Sequence, residues 1–121
     1  MHENWKDCPS APAEGVVICE ASSVPPGGVF SVDINGFPVL LARSGEHLVA
    51  YVNACPHQFL PLDYRSSSVL SADGRTLRCT NHQAGFDLMT GEGIEGLGRD
   101  CVLDPVPIHE DGEGRVVVGA R

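Results

Sequence analysis

Apolar and polar positions follow one another in short runs broken by glycine and proline, with the period of strands and not of helices. "GVVICEA" (residues 15–21) is the first such run and ends at "SSVPPGG". "VFSVDI" (29–34) and "FPVLLAR" (37–43) flank Asn35–Gly36, the sharpest hairpin signal in the chain. Pro38 has no N–H to give a ladder, which predicts that the second of these runs begins at a sheet edge. "HLVAYVNA" (47–54) is apolar on both alternating sets: Leu48, Ala50 and Val52 on one, Val49 and Tyr51 on the other. That pattern predicts a strand covered on both faces. "SADGR" (71–75) is a turn, "TLRC" (76–79) a short strand, and "GFDLMT" (85–90) precedes the glycine-rich "GEGIEGLGRD". "CVLDPVPIHE" and "RVVVGA" form a last hairpin about "DGEG". About seven to nine short strands at this spacing predict an all-β fold, a small sandwich or barrel. Residues 1–14 read as a loose leader, and 15–121 as a single domain.

Composition agrees with this picture and narrows the partners. The 121 residues include 14 glycines and 9 prolines, and 42% are hydrophobic. Net charge is −8, with no basic stripe, which argues against nucleic acid as a partner because phosphate affinity rests on clustered Lys and Arg. The acidity suits solubility and a basic protein partner. "MHENWKDCPSAPAEG" has no basic n-region with an apolar stretch behind it, and no run of apolar residues is long enough to span a bilayer. No membrane association and a cytoplasmic location are the expectations. In that compartment the five cysteines read as ligands or free thiols and not as a disulfide framework.

The chemistry concentrates in two short segments. In "ACPHQFLPL" (54–62) one residue separates Cys55 from His57; in "RCTNHQAGFD" (78–87) two residues separate Cys79 from His82. Each pair sits just beyond a predicted strand, and residues 58–78 between them suffice for a hairpin that returns the chain. Chance would give either pair only about 0.2 times in a chain of this composition, and both about 0.04 times. Two thiolates and two imidazoles suit tetrahedral zinc, or a [2Fe–2S] cluster with two histidines on one iron. A two-Cys, two-His zinc finger groups cysteine with cysteine and puts its histidines on a helix. Here each loop offers one of each and no helical pattern is nearby, which favours the binuclear cluster.

"CPH…LPL" followed by "CTNH…GFDLMTGEG" resembles the Rieske-type iron–sulfur proteins, with their C-x-H and C-x-x-H loops. The resemblance runs from about residue 15 to 119 and includes "NGFPVLLAR". It implies an antiparallel β fold with a cluster-binding loop subdomain at one end, the loops lying at about 55–66 and 79–91. It implies Cys55 and Cys79 on the inner iron, and His57 and His82 on the outer iron near the surface. A cluster so ligated is neutral when oxidised and gains one negative charge on reduction; an all-cysteine cluster starts at two negative charges. The histidine-ligated centre is therefore easier to reduce. The resemblance extends to high-potential members, which add a disulfide between the loops; the matching positions are Leu60 and Asn81, so that bridge cannot form. Those members also place a serine and a tyrosine hydroxyl at the positions of Ala84 and Phe86. A low potential is expected, with backbone N–H groups as the main donors to sulfur. Gln58 and Gln83 stand where the family commonly has glycine, and Thr80 where it commonly has proline, which bears on loop geometry and docking. Pro105 and Pro107 fit either a third loop over the cluster or an irregular edge strand.

The remaining conspicuous residues have plainer readings. Cys8 and His2 belong to the leader, and Trp5 could pack it onto the sheet. Cys19 and Cys101 lie in apolar runs as core residues. His47 and His109 sit at strand ends as surface groups, and Asp87 supports a loop.

The resemblance implies a one-electron carrier of the ferredoxin kind, itself no enzyme, which passes electrons from a reductase to a terminal oxygenase. The 121 residues leave no room for the catalytic domain of a ring-hydroxylating oxygenase. The glycines of "GEGIEGLG" lack the following helix that a dinucleotide phosphate site needs, so neither flavin nor nicotinamide is expected. The alternative is the small subunit of a larger oxidoreductase, such as an assimilatory nitrite reductase. A structural zinc module using the same four residues is the third reading.

Overall fold

The structure, a computed structural model, describes residues 12–45, 47–53, 62, 69–71, 74–78, 84–96 and 102–119. Nine strands are present among them: β1 (Val17–Glu20), β2 (Val29–Ile34), β3 (Phe37–Ser44), β4 (His47–Val52), β5 (Thr76–Arg78), β6 (Ala84–Asp87), β7 (Gly93–Gly96), β8 (Ile108–Glu110) and β9 (Arg115–Val118). The only helical piece among the described residues is one 3₁₀ turn, Ala21–Ser23. The strands form three antiparallel sheets of three, in the orders β1-β9-β8, β2-β3-β4 and β5-β6-β7. The all-β architecture expected from the sequence is the one observed.

The β2-β3 hairpin forms where Asn35–Gly36 places it. Both residues take positive φ, 52° and 91°, as a tight two-residue turn between right-twisted strands requires. The Asp33 carboxylate accepts the Gly36 N–H at 2.6 Å and locks the turn. The register then runs from Ile34↔Phe37 to Val29↔Ala42 without a break.

The sheet β2-β3-β4 is a partition with an apolar cluster on each side. Phe37, Val39, Leu41 and Ala50 face one cluster, shared with Ile18, Val24, Val106, Val116 and Val118. Leu40, Ala42 and Tyr51 face the other, shared with Leu62, Leu77, Phe86 and Leu103. The doubly apolar pattern of β4 has this cause: Leu48 and Val52 pack on the first cluster and Val49 on the second.

Pro38 departs from expectation. Its strand β3 is the centre of its sheet, not an edge. The proline is accommodated because β4 ends at Val52, one residue short of the position opposite it. There the Pro38 carbonyl still accepts the Asn53 N–H at 3.0 Å. The missing N–H therefore falls where the ladder has already stopped.

Pro105 belongs to an irregular edge segment along β4, and Pro107 extends the β8-β9 ladder, its carbonyl accepting the Gly119 N–H at 2.8 Å. Pro105 bridges Tyr51, while Val52 donates to the Asp104 carbonyl and Val106 to the Ala50 carbonyl, each at 2.9 Å. Bonding alternates, so the nitrogen of Pro105 points away from the sheet and costs no bond.

The run "GFDLMT" is a strand only as far as Asp87. The Asp87 carboxylate accepts the N–H groups of Met89 and Thr90, at 2.9 and 3.1 Å, and turns the chain there. Asp87 thus supports a loop, as expected. Cys19 is half-buried against the first cluster, and burial raises its thiol pKa. His47 is exposed, but His109 is tied down: its Nδ1 lies 2.7 Å from the Gly119 carbonyl oxygen. The readings of Cys8, Cys101, His2, Trp5, Gln58, Gln83 and Thr80 fall outside the described residues, as does the leader up to residue 11.

Candidate metal centre

Cys55, His57, Cys79 and His82 lie outside the described residues, as do Leu60 and Asn81. The described residues supply the scaffold from which both loops spring.

The first loop leaves β4 at Val52. Asn53 follows, 5% exposed, and its side-chain carbonyl accepts the backbone N–H of Leu62 at 2.8 Å. Residues 54–61, with Cys55 and His57, are thus bracketed by a hydrogen bond between the two ends of the segment. Leu62 is fully buried.

The second loop joins β5 to β6. The hairpin registers Arg78 with Gly85 and Leu77 with Phe86, so residues 79–83, with Cys79 and His82, close it. The strand β5 is held on its other side by residues 69–71: Leu70 bridges Leu77, and the Arg78 N–H reaches the Val69 carbonyl at 2.8 Å.

The bases of both loops meet in one cluster. Leu62, at the close of the first, is buried together with Val69, Leu77, Ala84 and Phe86 around the second. Strand polarity agrees. Ser44, His47, Gly74, Arg75 and Asp87–Met89 line a single cavity of about 410 Å³, so β4 and β5 begin, and β6 ends, at that pole. Both loops leave from the strand ends away from it.

Tyr51 fixes the two stems against each other. Its hydroxyl donates to the Leu88 carbonyl at 2.6 Å, linking β4 to the turn after β6. Burial, with the Asp87 charge adding to it, pushes the Tyr51 phenol up to about 12. Gly91 is required beside it: φ is +77°, and a Cβ would stand 2.9 Å from the Tyr51 ring and 3.0 Å from the Leu103 carbonyl oxygen.

Ala84 and Phe86 are both fully buried and bring no hydroxyl to the base of the second loop. Among the described residues, no group of three or more His, Cys, Asp or Glu side chains gathers. No helix among them is long and apolar enough to cross a membrane.

Sequence reasoning missed Asn53, Leu62 and Tyr51. One signal was available for Asn53: it is the polar residue that ends a doubly apolar strand, two positions before Cys55.

Comparison with known proteins bears on the cofactor. The ferredoxin of carbazole 1,9a-dioxygenase from Nocardioides aromaticivorans IC177 has a similar structure, with TM-score 0.74 and 22% identity, over 90% of this chain and 100% of that one. A chain in the complex of reduced oxygenase and oxidised ferredoxin of carbazole 1,9a-dioxygenase gives TM-score 0.70 at 23% identity, over 88% and 93%. A protein assigned as the small subunit of an NADPH nitrite reductase gives TM-score 0.69 at 19% identity, over 89% and 100%. At these identities the likeness is one of fold. A search among curated proteins finds no match. The model of the Rieske [2Fe-2S] domain family matches residues 14–104, a span that contains both Cys/His loops. The donor chemistry fits that family's cluster, two thiols and two imidazoles on loops with a common buried base. The chain belongs to the Rieske [2Fe-2S] domain family, and its cofactor is a Rieske-type [2Fe–2S] cluster.

Proposed function

We propose that residues 15–121 form one domain that acts as a ferredoxin-like one-electron carrier, with Cys55 and Cys79 on one iron of the cluster and His57 and His82 on the other. The observation that carries the ligand assignment is the common anchorage of the two loops. Leu62 and Ala84, next to the loops' ends, share one buried cluster, and both loops follow strands that run away from the same cavity. When bound, the cluster supplies one-electron chemistry. The chain's own part is to hold the cluster and to meet its partners near His57 and His82.

The donor is a reductase and the acceptor a terminal oxygenase, met by transient docking. Supporting this are the likeness to the carbazole 1,9a-dioxygenase ferredoxin over 90% of the chain and to a chain from an oxygenase–ferredoxin complex. The net charge of −8 suits a partner with a basic docking face.

The test is the optical and paramagnetic spectrum of the purified protein, oxidised and then reduced. A reddish-brown protein with iron and sulfide in equal amounts, and a rhombic signal on one-electron reduction, is expected. Alanine at any one of the four ligands should abolish that signal. A colourless protein with one zinc ion would sink the reading.

The likeness to the nitrite reductase small subunit supports a second reading, a permanent subunit of a larger oxidoreductase. Size-exclusion chromatography of the protein from its native cell distinguishes them: a carrier elutes alone, a subunit elutes with its enzyme.

A further inference from the structure

Asn53 joins three parts of the chain. Its main-chain N–H reaches the Pro38 carbonyl on β3 at 3.0 Å, and its side-chain carbonyl takes the Leu62 N–H at 2.8 Å. Pro38 can return no bond, because it has no N–H. At 5% exposure Asn53 is one of only two buried polar or charged residues among those described. Leu62 is fully buried in the cluster that holds Leu77, Ala84 and Phe86. A bond shielded from water in this way is strong and directional, because no solvent competes for either partner. Its two ends enclose the segment that carries Cys55 and His57.

We propose that Asn53 is a positioning residue for the metal centre: by bonding Leu62 it closes the first ligand loop at its base and sets that loop's bearing on the second. The inference rests on the electron-carrier reading of the four ligands. The described bonds of Asn53 run to Pro38 and Leu62. It acts through the chain, from β3 to Leu62, and Leu62 in turn packs with the residues at the base of the second loop. An asparagine serves because its carbonyl is a neutral acceptor on a short, stiff stem. Leucine fills the same space without an acceptor, and aspartate supplies an oxygen at the same place.

The experiment uses the full-length holoprotein with Asn53→Leu, Asn53→Asp and, as control, Asp111→Ala. Asp111→Ala removes the carboxylate that accepts the Glu113 and Arg115 N–H groups and the Arg115 side chain in the turn between β8 and β9. The readouts are the g-values of the reduced cluster and the rate at which a chelator bleaches the oxidised one. Asn53→Leu should shift the g-values and bleach about tenfold faster, the scale of losing support behind metal ligands. Asn53→Asp should restore both readouts towards wild type, and Asp111→Ala should lower thermal stability while leaving both unchanged. If leucine prevents folding, Asn53→Ala makes the same comparison. Wild-type g-values and bleaching rate in Asn53→Leu would overturn the proposal, as would equal changes in Asp111→Ala. A wild-type protein with no rhombic signal would overturn the carrier reading and this inference together, so the two failures are distinguishable.

Discussion

The Tyr51 hydroxyl donates to the Leu88 carbonyl oxygen at 2.6 Å, out of water, and so ties the strand that enters the first loop to the turn that follows the second. Replacing Tyr51 by phenylalanine keeps the ring and removes the donor, leaving Leu88 to find another partner in an apolar site. The expected cost is about 2 kcal/mol. For a domain of this size the melting temperature should fall by about 8 °C, read by calorimetry.

The same phenol makes stability depend on alkaline pH. Its ordinary value is 10.0, and burial raises it to about 12 in the folded chain. The unfolded chain therefore gives up this proton first. The stabilisation is complete below the unfolded value and is lost as pH rises through the folded one. Denaturant titrations of wild type and Tyr51→Phe should converge between pH 10 and 12. A gap that stays constant across that window would contradict the assignment.

Gly91 and Gly45 separate two costs of adding a methyl group. Both have positive φ, +77° and +59°, but a Cβ at Gly45 would meet nothing within 4 Å. Gly45→Ala should cost about 1 kcal/mol, the strain of the left-handed backbone alone. Gly91→Ala adds the contacts with Tyr51 and Leu103, and should cost about 3 kcal/mol in the same assay.

The midpoint potential should lie in the lower part of the Rieske range of roughly −150 to +300 mV. Ala84 and Phe86 are buried and offer no hydroxyl to cluster sulfur. Ala84→Ser introduces one, which favours the more negative reduced state. Potentiometry should show an upward shift of about 40 mV, the equivalent of roughly 1 kcal/mol for one electron. A downward shift would show that the added hydroxyl does not donate to sulfur.

Electrostatic docking has a kinetic signature. With a net charge of −8 and a basic partner, the second-order rate of electron exchange should fall as ionic strength rises. Stopped-flow measurements between about 0.01 and 0.5 M salt test this across the screening range. A rate independent of salt would remove charge from the account of recognition.

Local chemistry was legible in the sequence, and long-range partnership was not. Asn35–Gly36 specifies its own turn, so β2 is foreseen residue for residue and β3 to within one residue. The doubly apolar run of β4 announces its two covered faces. Pro38 misled because an edge and a frayed ladder end are equally free of a required N–H, and only the length of β4 tells them apart. Nothing in "GFDLMT" marks where its strand stops, because the Asp87 carboxylate that ends it works through a hydrogen bond to Met89. The Cys/His spacing marked out the four metal ligands proposed for the cluster. Nothing local to Asn53 or Tyr51 names Leu62 or Leu88 as partner, because those bonds span 9 and 37 positions of chain.

The partition formed by β2-β3-β4 sorts substitutions by odd and even numbering. On β4, Val49 and Tyr51 look towards the β5-β6-β7 layer, on which the proposed cluster loops rest, while Leu48, Ala50 and Val52 look towards the β1-β9-β8 layer. Neighbouring residues on one strand thus belong to separate inheritances. An engineer could retune redox behaviour on one side of the wall and heat tolerance on the other, moving a single step along the backbone.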